Sequence, residues 1–217
     1  MRYLLQPMDQ NIVTSSGVVG VPLIVFSLIS FTLIIERCYY WFQIWRREQK
    51  IIHQVFSLLE NDRPSAIALL QKNIDLPIPR IFLAALQLKR YDLETVQVAL
   101  ETSARAELPN LRRFNTVFDT VIAVAPLLGL LGTVLGLMTS FASLSLGDVS
   151  QSDTIGVTGG ISEALSSTVL GLVVAIVTLL FANMFRSLCR RQIAAINAAN
   201  GRLELFLRES NGDFSKS

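Results

Sequence analysis

The sequence predicts an all-α membrane protein with three transmembrane helices and long cytoplasmic helical extensions. Composition is the first observation behind this reading. Mean hydropathy is +0.48, and 17% of residues are charged, against ~25% in an ordinary soluble domain. The second is three apolar runs, 18–35, 120–146 and 155–185, whose only charged residue is Glu163. A hydrocarbon core of ~30 Å needs ~20 helical residues, and these runs meet that length with little tilt. The third is the placement of the basic residues. Of 19 Lys and Arg, one (Arg2) precedes the first run and none lies in 147–154, while twelve lie in 36–119 and six after 185. Basic residues stay cytoplasmic, which puts the N-terminus outside and the C-terminus inside.

Taken in order, residues 1–17 form an extracytoplasmic tail and 18–35 the first span. Its apolar run exceeds the ~7–15 residues of a secretory signal core, and no small-residue cleavage site follows. Instead Glu36-Arg37-Cys38-Tyr39-Tyr40-Trp41 follows, which reads as an uncleaved anchor with an interfacial aromatic belt. Residues 36–119 read as a cytoplasmic helical region. Ile44, Ile51, Val55 and Leu59 keep helical spacing, so the first helix continues past the membrane. Asn61-Asp62-Arg63-Pro64 stops it and caps a short helix over Ser65–Gln71. Leu76-Pro77-Ile78-Pro79 reads as a break, followed by another short helix over Ile81–Lys89. From Asp92 the apolar spacing runs into the second span (120–146) as one helix, with Pro109 and Pro126 as possible kinks. A periplasmic turn (147–154) leads to the third span (155–185), whose cytoplasmic continuation occupies 186–217.

The second and third spans carry small residues on one face each. Gly129, Gly132 and Gly136 recur at three- and four-residue spacing, as do Thr168, Gly171, Ala175, Thr178 and Ala182. Such a groove gives a neighbouring helix close backbone contact. Two such faces are more than one three-helix chain is expected to satisfy, so they predict contacts between chains. With the turn near Ser150, Thr133 and Thr168 fall at nearly one depth, and Glu163 lies about 7 Å closer to the turn. Two readings of each stand. Glu163 is either an acid on an ion path, the default for a carboxyl inside a span, or a residue of the outer headgroup level. The threonines either face a pore or bond back to their own helices.

Other chemistry is sparse. Cys38 and Cys189 read as packing residues in a reducing compartment, and His53 is the one histidine, beyond membrane depth. Glu36 and Arg37 suggest an ion pair at the membrane interface. No phosphate loop, nucleophile elbow or metal-ligand pattern occurs, so no enzyme activity, cofactor, metal or nucleic-acid partner is expected.

The segments APLLGLLGTVLG (125–136) and GISEALSSTVLGL (160–172) resemble the paired span motifs of the MotA/TolQ/ExbB proton-channel family. Asn183 and Glu36-Arg37 also fit, while Leu135 and Val177 depart from the family's frequent tryptophan and proline. Three spans rather than four resemble the ExbB/TolQ branch. The resemblance implies a homopentamer whose second and third spans line a central pore. It implies a single-span partner of the ExbD or TolR kind, carrying a membrane aspartate, and a TonB- or TolA-like protein energised by the proton motive force across the inner membrane. Carried over, Thr133 and Thr168 are the pore hydroxyls and Glu163 the pore acid. Either an ExbB-like role in TonB-dependent uptake or a TolQ-like role in envelope integrity fits. A non-conducting scaffold would show the same glycines but would not need Glu163 at depth, and a transporter usually carries more spans.

Overall fold

Six helices make up the described chain, and apolar periodicity accounts for most of them. The computed structural model describes residues 17–88, 93–144 and 153–214, and no strand occurs among them. The helices are α1 (Gly17–Asn61), α2 (Arg63–Lys72), α3 (Pro77–Leu86), α4 (Leu93–Leu111), α5 (Asn115–Leu144) and α6 (Asp153–Phe214). Three helical runs, Val19–Asn61, Glu94–Ala142 and Gly159–Glu209, are long and apolar enough to cross a membrane. The second of them takes in both α4 and α5. The tail 1–16 and the turn around 145–152 lie outside the described residues.

Two compact units divide the chain. One combines Met1–Ile35 with Phe114–Asn183, the other Glu36–Arg113 with Met184–Ser217. In the first unit a small core gathers Val19 and Leu23 of α1, Val121 and Ala125 of α5, and Ala175 of α6. Its large exposed side chains are apolar, among them Phe31, Leu130, Met138, Val169 and Leu180. A helix surface of that kind suits lipid and not water.

The second unit is built like a soluble helical bundle. Ile44, Ile51, Val55 and Phe56 of α1 are buried, as are Leu70 of α2, Ile81 and Phe82 of α3, Leu100 of α4, and Ile196 and Leu203 of α6. Phe56 meets Phe82 and Phe206 edge-on, at centroid distances of 5.8 and 6.4 Å. Asp62 caps α2 by accepting from the Ser65 backbone N–H at 3.3 Å.

Two boundaries differ from the sequence expectation. The proline-rich 76–79 segment is not a break but the start of α3, with Pro77 and Pro79 in its first turn. First-turn N–H groups have no intrahelical partner, so prolines there forfeit nothing. Conversely α4 and α5 are not one helix. Residues 112–114 separate them, and Phe114 sits at φ 67 in the left-handed region. That conformation costs an L-residue roughly 1–2 kcal/mol, so no local signal predicts it.

Glu48 organises the second unit from within. It lies on the buried stripe of α1, four residues after Ile44 and three before Ile51, and is 4% exposed. The N-cap of α3 offers no side-chain bond, and Glu48 supplies one instead, accepting from the Ile78 N–H at 3.0 Å. Its other oxygen accepts from Gln192 Nε2 of α6. Burial pushes this carboxyl above its ordinary value of 4.5, and the two hydrogen bonds offset part of the rise. Well below that value Glu48 is protonated in folded and unfolded chains alike. As pH rises the unfolded chain ionises first, so stability present at acid pH is lost up to the folded pKa. Glu48→Gln keeps an acceptor for Ile78 and removes the charge. Its thermal midpoint at neutral pH should be no lower than that of the natural chain, with the difference closing towards pH 4. Glu48→Ala strands the Ile78 N–H and should cost about 1–3 kcal/mol at every pH. Equal losses for Gln and Ala in thermal denaturation at pH 7 would refute this account.

Candidate functional site

The candidate site is the seam between α5 and α6 in the first unit. Missing side chains on α5 are filled by α6 of the same chain. A Cβ added at Gly136 would lie 2.9 Å from both the Ala164 Cβ and the Gly160 carbonyl oxygen. At Gly132 it would strike the Ser167 hydroxymethyl group, and at Gly129 it would lie 3.0 Å from the Ser167 carbonyl oxygen. At Gly171 it would lie 2.5 Å from the Ala125 carbonyl oxygen. Ala125 itself is 0% exposed and Ala175 is 7% exposed. The two small-residue stripes therefore satisfy each other within one chain. This corrects the expectation that they serve contacts between chains. An antiparallel α5–α6 pair brings Gly129, Gly132, Gly136 and Gly171 to one seam, while Thr178 meets Ser30 of α1.

That seam also sets the register. Thr168 Oγ1 donates to the Gly129 carbonyl at 3.1 Å. Thr168 is thus level with Gly129, four residues and about 6 Å along the axis from Thr133. The equal depth expected from a turn at Ser150 does not hold, because the glycine contacts and not the turn position determine which residues meet. Thr133 Oγ1 donates to the Leu130 carbonyl of its own helix at 2.6 Å. Both threonines are half-buried. At ~100° per residue, each lies about 60° from the centre of its helix's packed stripe. Both offsets run in the same sense, which in an antiparallel pair puts the two hydroxyls on one flank of the seam. Glu163 lies on α6 five residues before Thr168, and its side chain is outside the described residues.

Further buried hydroxyls line the packed faces, of which Ser167 and Ser140 were not singled out in the sequence and Thr178 was. Ser167, 1% exposed, lies 3.3 Å from the Gly129 carbonyl and donates to its own Ala164 carbonyl at 2.8 Å. Ser140 donates to Gly136 at 2.9 Å. Thr178 donates to Val174 at 2.7 Å, and its Oγ1 lies 3.2 Å from Ser30 Oγ of α1. Each short side chain has an acceptor on a helix backbone, which removes the cost of a bare hydroxyl among apolar groups. The signal for Ser167 was its place four residues before Gly171 on the same stripe.

Glu36 and Arg37 stand in the second unit. Their closest atoms are 3.8 Å apart, with side chains 44% and 3% exposed. Arg37 is turned inward, where its guanidinium donates to the carbonyls of Asn110, at 3.2 Å, and Arg113. It lines a polar cavity of ≈ 330 Å³ with Tyr40, Arg80, Glu107 and Arg113. Arg80 and Glu107 pair there at 2.8 Å. Arg37 therefore fastens the end of α4 more than it neutralises Glu36. Among the described residues no group of His, Cys, Asp or Glu could hold a metal ion.

The chain resembles known proteins along most of its length. The chain is 55% identical over 194 residues to the biopolymer transport protein ExbB-like 3 of Synechocystis sp., an alignment covering 89% of this chain and 92% of that protein. It is 36% identical over 194 residues to ExbB-like 1 of the same organism, covering 89% and 76%. With the biopolymer transport protein ExbB of Salmonella typhimurium it shares 37% identity over 89 residues, 41% of this chain and 34% of that protein. Residues 73–198, which take in α3, α4, α5 and most of α6, match the MotA/TolQ/ExbB proton channel family. A multi-pass chain with this seam and this match belongs to the MotA/TolQ/ExbB proton channel family, in its ExbB-like branch.

Proposed function

We propose that the chain is the proton-conducting subunit of an inner-membrane motor complex. Five copies surround a pore lined by α5 and α6, and a single-span partner of the ExbD or TolR kind presents a membrane aspartate inside it. Proton passage through that aspartate drives a TonB-like protein and uptake across the outer membrane. The N-terminus and the 147–154 turn face the periplasm, and the second unit faces the cytoplasm, in keeping with the distribution of basic residues.

One observation carries this reading: Thr133 and Thr168 lie on one flank of the α5–α6 seam, at neighbouring turns. A hydroxyl donates and accepts at once, so two of them can relay a proton to a carboxylate without holding a fixed charge in a low-dielectric site. The intrachain seam supports the arrangement by giving each subunit a rigid two-helix stave. Glu163 then tunes the electrostatics of the pore, and Glu163→Gln impairs it.

The test is proton uptake into liposomes containing the complex with its single-span partner. Thr133→Val and Thr168→Val keep side-chain size while removing the hydroxyl. Each should assemble with the partner and lower uptake at least tenfold. Normal assembly with unchanged uptake would make both hydroxyls packing residues and remove the basis of the pore assignment.

A further inference from the structure

The outer face of α1 in the second unit is inverted relative to a soluble helix. Glu48 points inward, and Arg47, with its side chain 40% exposed, lies along the surface. Arg47 bonds Asp75 at 2.6 Å and Asn73 at 2.9 Å, and Glu48 bonds the start of α3. Outward stand Tyr39, Phe42 and Trp45, which are 70%, 53% and 77% exposed. They repeat every three residues and so form one slanting stripe. Arg46 and Lys50 flank it, with the Arg46 guanidinium 5.4 Å from the Phe42 ring centre. Between 38 and 50 no exposed residue is a carboxylate. Three bare aromatics on a water-facing helix would forfeit several kcal/mol of burial.

We infer that this aromatic and basic stripe lies in the headgroup layer of the membrane and selects anionic phospholipid. Length agrees. From Val18, at the outer edge of the apolar run, a helix with the usual ~20° tilt rises about 38 Å to Trp45, enough to cross the ~30 Å core and reach the inner polar layer. Composition agrees as well: tyrosine and tryptophan are the residues of the membrane–water boundary. Arginine and lysine can lay their methylene stems along the apolar layer and reach phosphate. A second copy of this chain is the rival occupant, but the stripe presents Arg46 and Lys50 against one exposed carboxylate, Glu36 at its outer end, so two identical surfaces would bring together more cations than acids. The inference rests on membrane insertion alone and does not need proton conduction.

The experiment reads Trp45 fluorescence in the full-length protein reconstituted in vesicles. The chain has two tryptophans, so Trp41→Phe leaves Trp45 alone. The difference between the natural chain and Trp45→Phe gives the same signal without altering Trp41. Lipids brominated near the carboxyl end of the acyl chain should quench Trp45 at least twice as strongly as lipids brominated near the methyl end, and iodide in the buffer should quench it little. Strong iodide quenching would overturn the inference. So would shielding from both quenchers that disappears on diluting the protein in lipid, since that is the behaviour of a contact between copies. In vesicles mixing phosphatidylglycerol with phosphatidylcholine, Arg46→Gln and Lys50→Gln should each weaken the preference for phosphatidylglycerol about fivefold, equivalent to ~1 kcal/mol per charge. An unchanged preference in the double variant would overturn the selection of anionic lipid.

Discussion

Replacing Gly171 by leucine is expected to leave almost no folded protein in the membrane. A Cβ there would lie 2.5 Å from the Ala125 carbonyl oxygen and 3.1 Å from the Gly129 Cα, both of them backbone atoms. Backbone cannot rotate aside as a side chain can, so α5 and α6 must separate. Overpacking a well-filled site costs about 1–3 kcal/mol when side chains yield, and more when nothing yields. Gly136→Leu should be nearly as damaging, because the Gly160 carbonyl is among its obstacles. Gly132→Ala should also be damaging, since its Cβ would lie 2.6 Å from the Ser167 Cβ, which no rotation of the serine moves. Gly201 is the control, as a Cβ there meets nothing within 4 Å. Size-exclusion profiles of fluorescent fusions in mild detergent make the comparison. Natural amounts of monodisperse Gly171→Leu protein would dismiss the close seam.

Those glycines show both what the sequence discloses and where it stops. Three- and four-residue spacing reveals that a helix has a groove, but a groove does not say what fills it. Here the filler lies about 35 residues onward in the same chain, and its register follows from contacts such as Gly136 on Ala164. Counting residues back from an assumed turn therefore displaced Thr168 by one helical turn. Phe114 was illegible for another reason. Nothing in Arg112-Arg113-Phe114-Asn115 marks a left-handed residue locally. Glu48 could have been found, because it interrupts the run Ile44, Ile51, Val55 at a position where an apolar side chain belongs. Lengths and apolar runs were plain from the start, because a bilayer imposes them on every spanning helix.

Arg37→Ala should destabilise the protein by on the order of 3 kcal/mol. The last carbonyls of a helix have no intrahelical partner, and Arg37 gives donors to those of Asn110 and Arg113. A cation is also favoured at a helix C-terminus by the helix dipole. Charged hydrogen bonds contribute about 1.5–3 kcal/mol each, and these two share one side chain. Loss of the guanidinium leaves the Asn110 carbonyl with only the long bond from the Arg113 N–H, at 3.4 Å, removes the charged donor to Arg113, and loosens the turn that leads to Phe114. Arg37→Lys retains the charge but loses the two-pronged donor, so it should fall between alanine and the natural chain. Thermal denaturation gives the size of the effect, and hydrogen exchange locates it at 112–116. Unchanged midpoint and unchanged exchange in Arg37→Ala would show that the turn stands without it.

The intrachain seam also has a history within each molecule. Chains are made from the N-terminus, so α5 exists before the residues at 160–171 that close over Gly129, Gly132 and Gly136. For that interval the nascent chain carries an open furrow of the kind by which membrane helices find partners. Neighbouring nascent chains offer one another the same furrow, and only the arrival of α6 withdraws it. Synthesis is therefore a race between closure within the chain and capture by another, and a substitution such as Gly171→Leu leaves the furrow open for good.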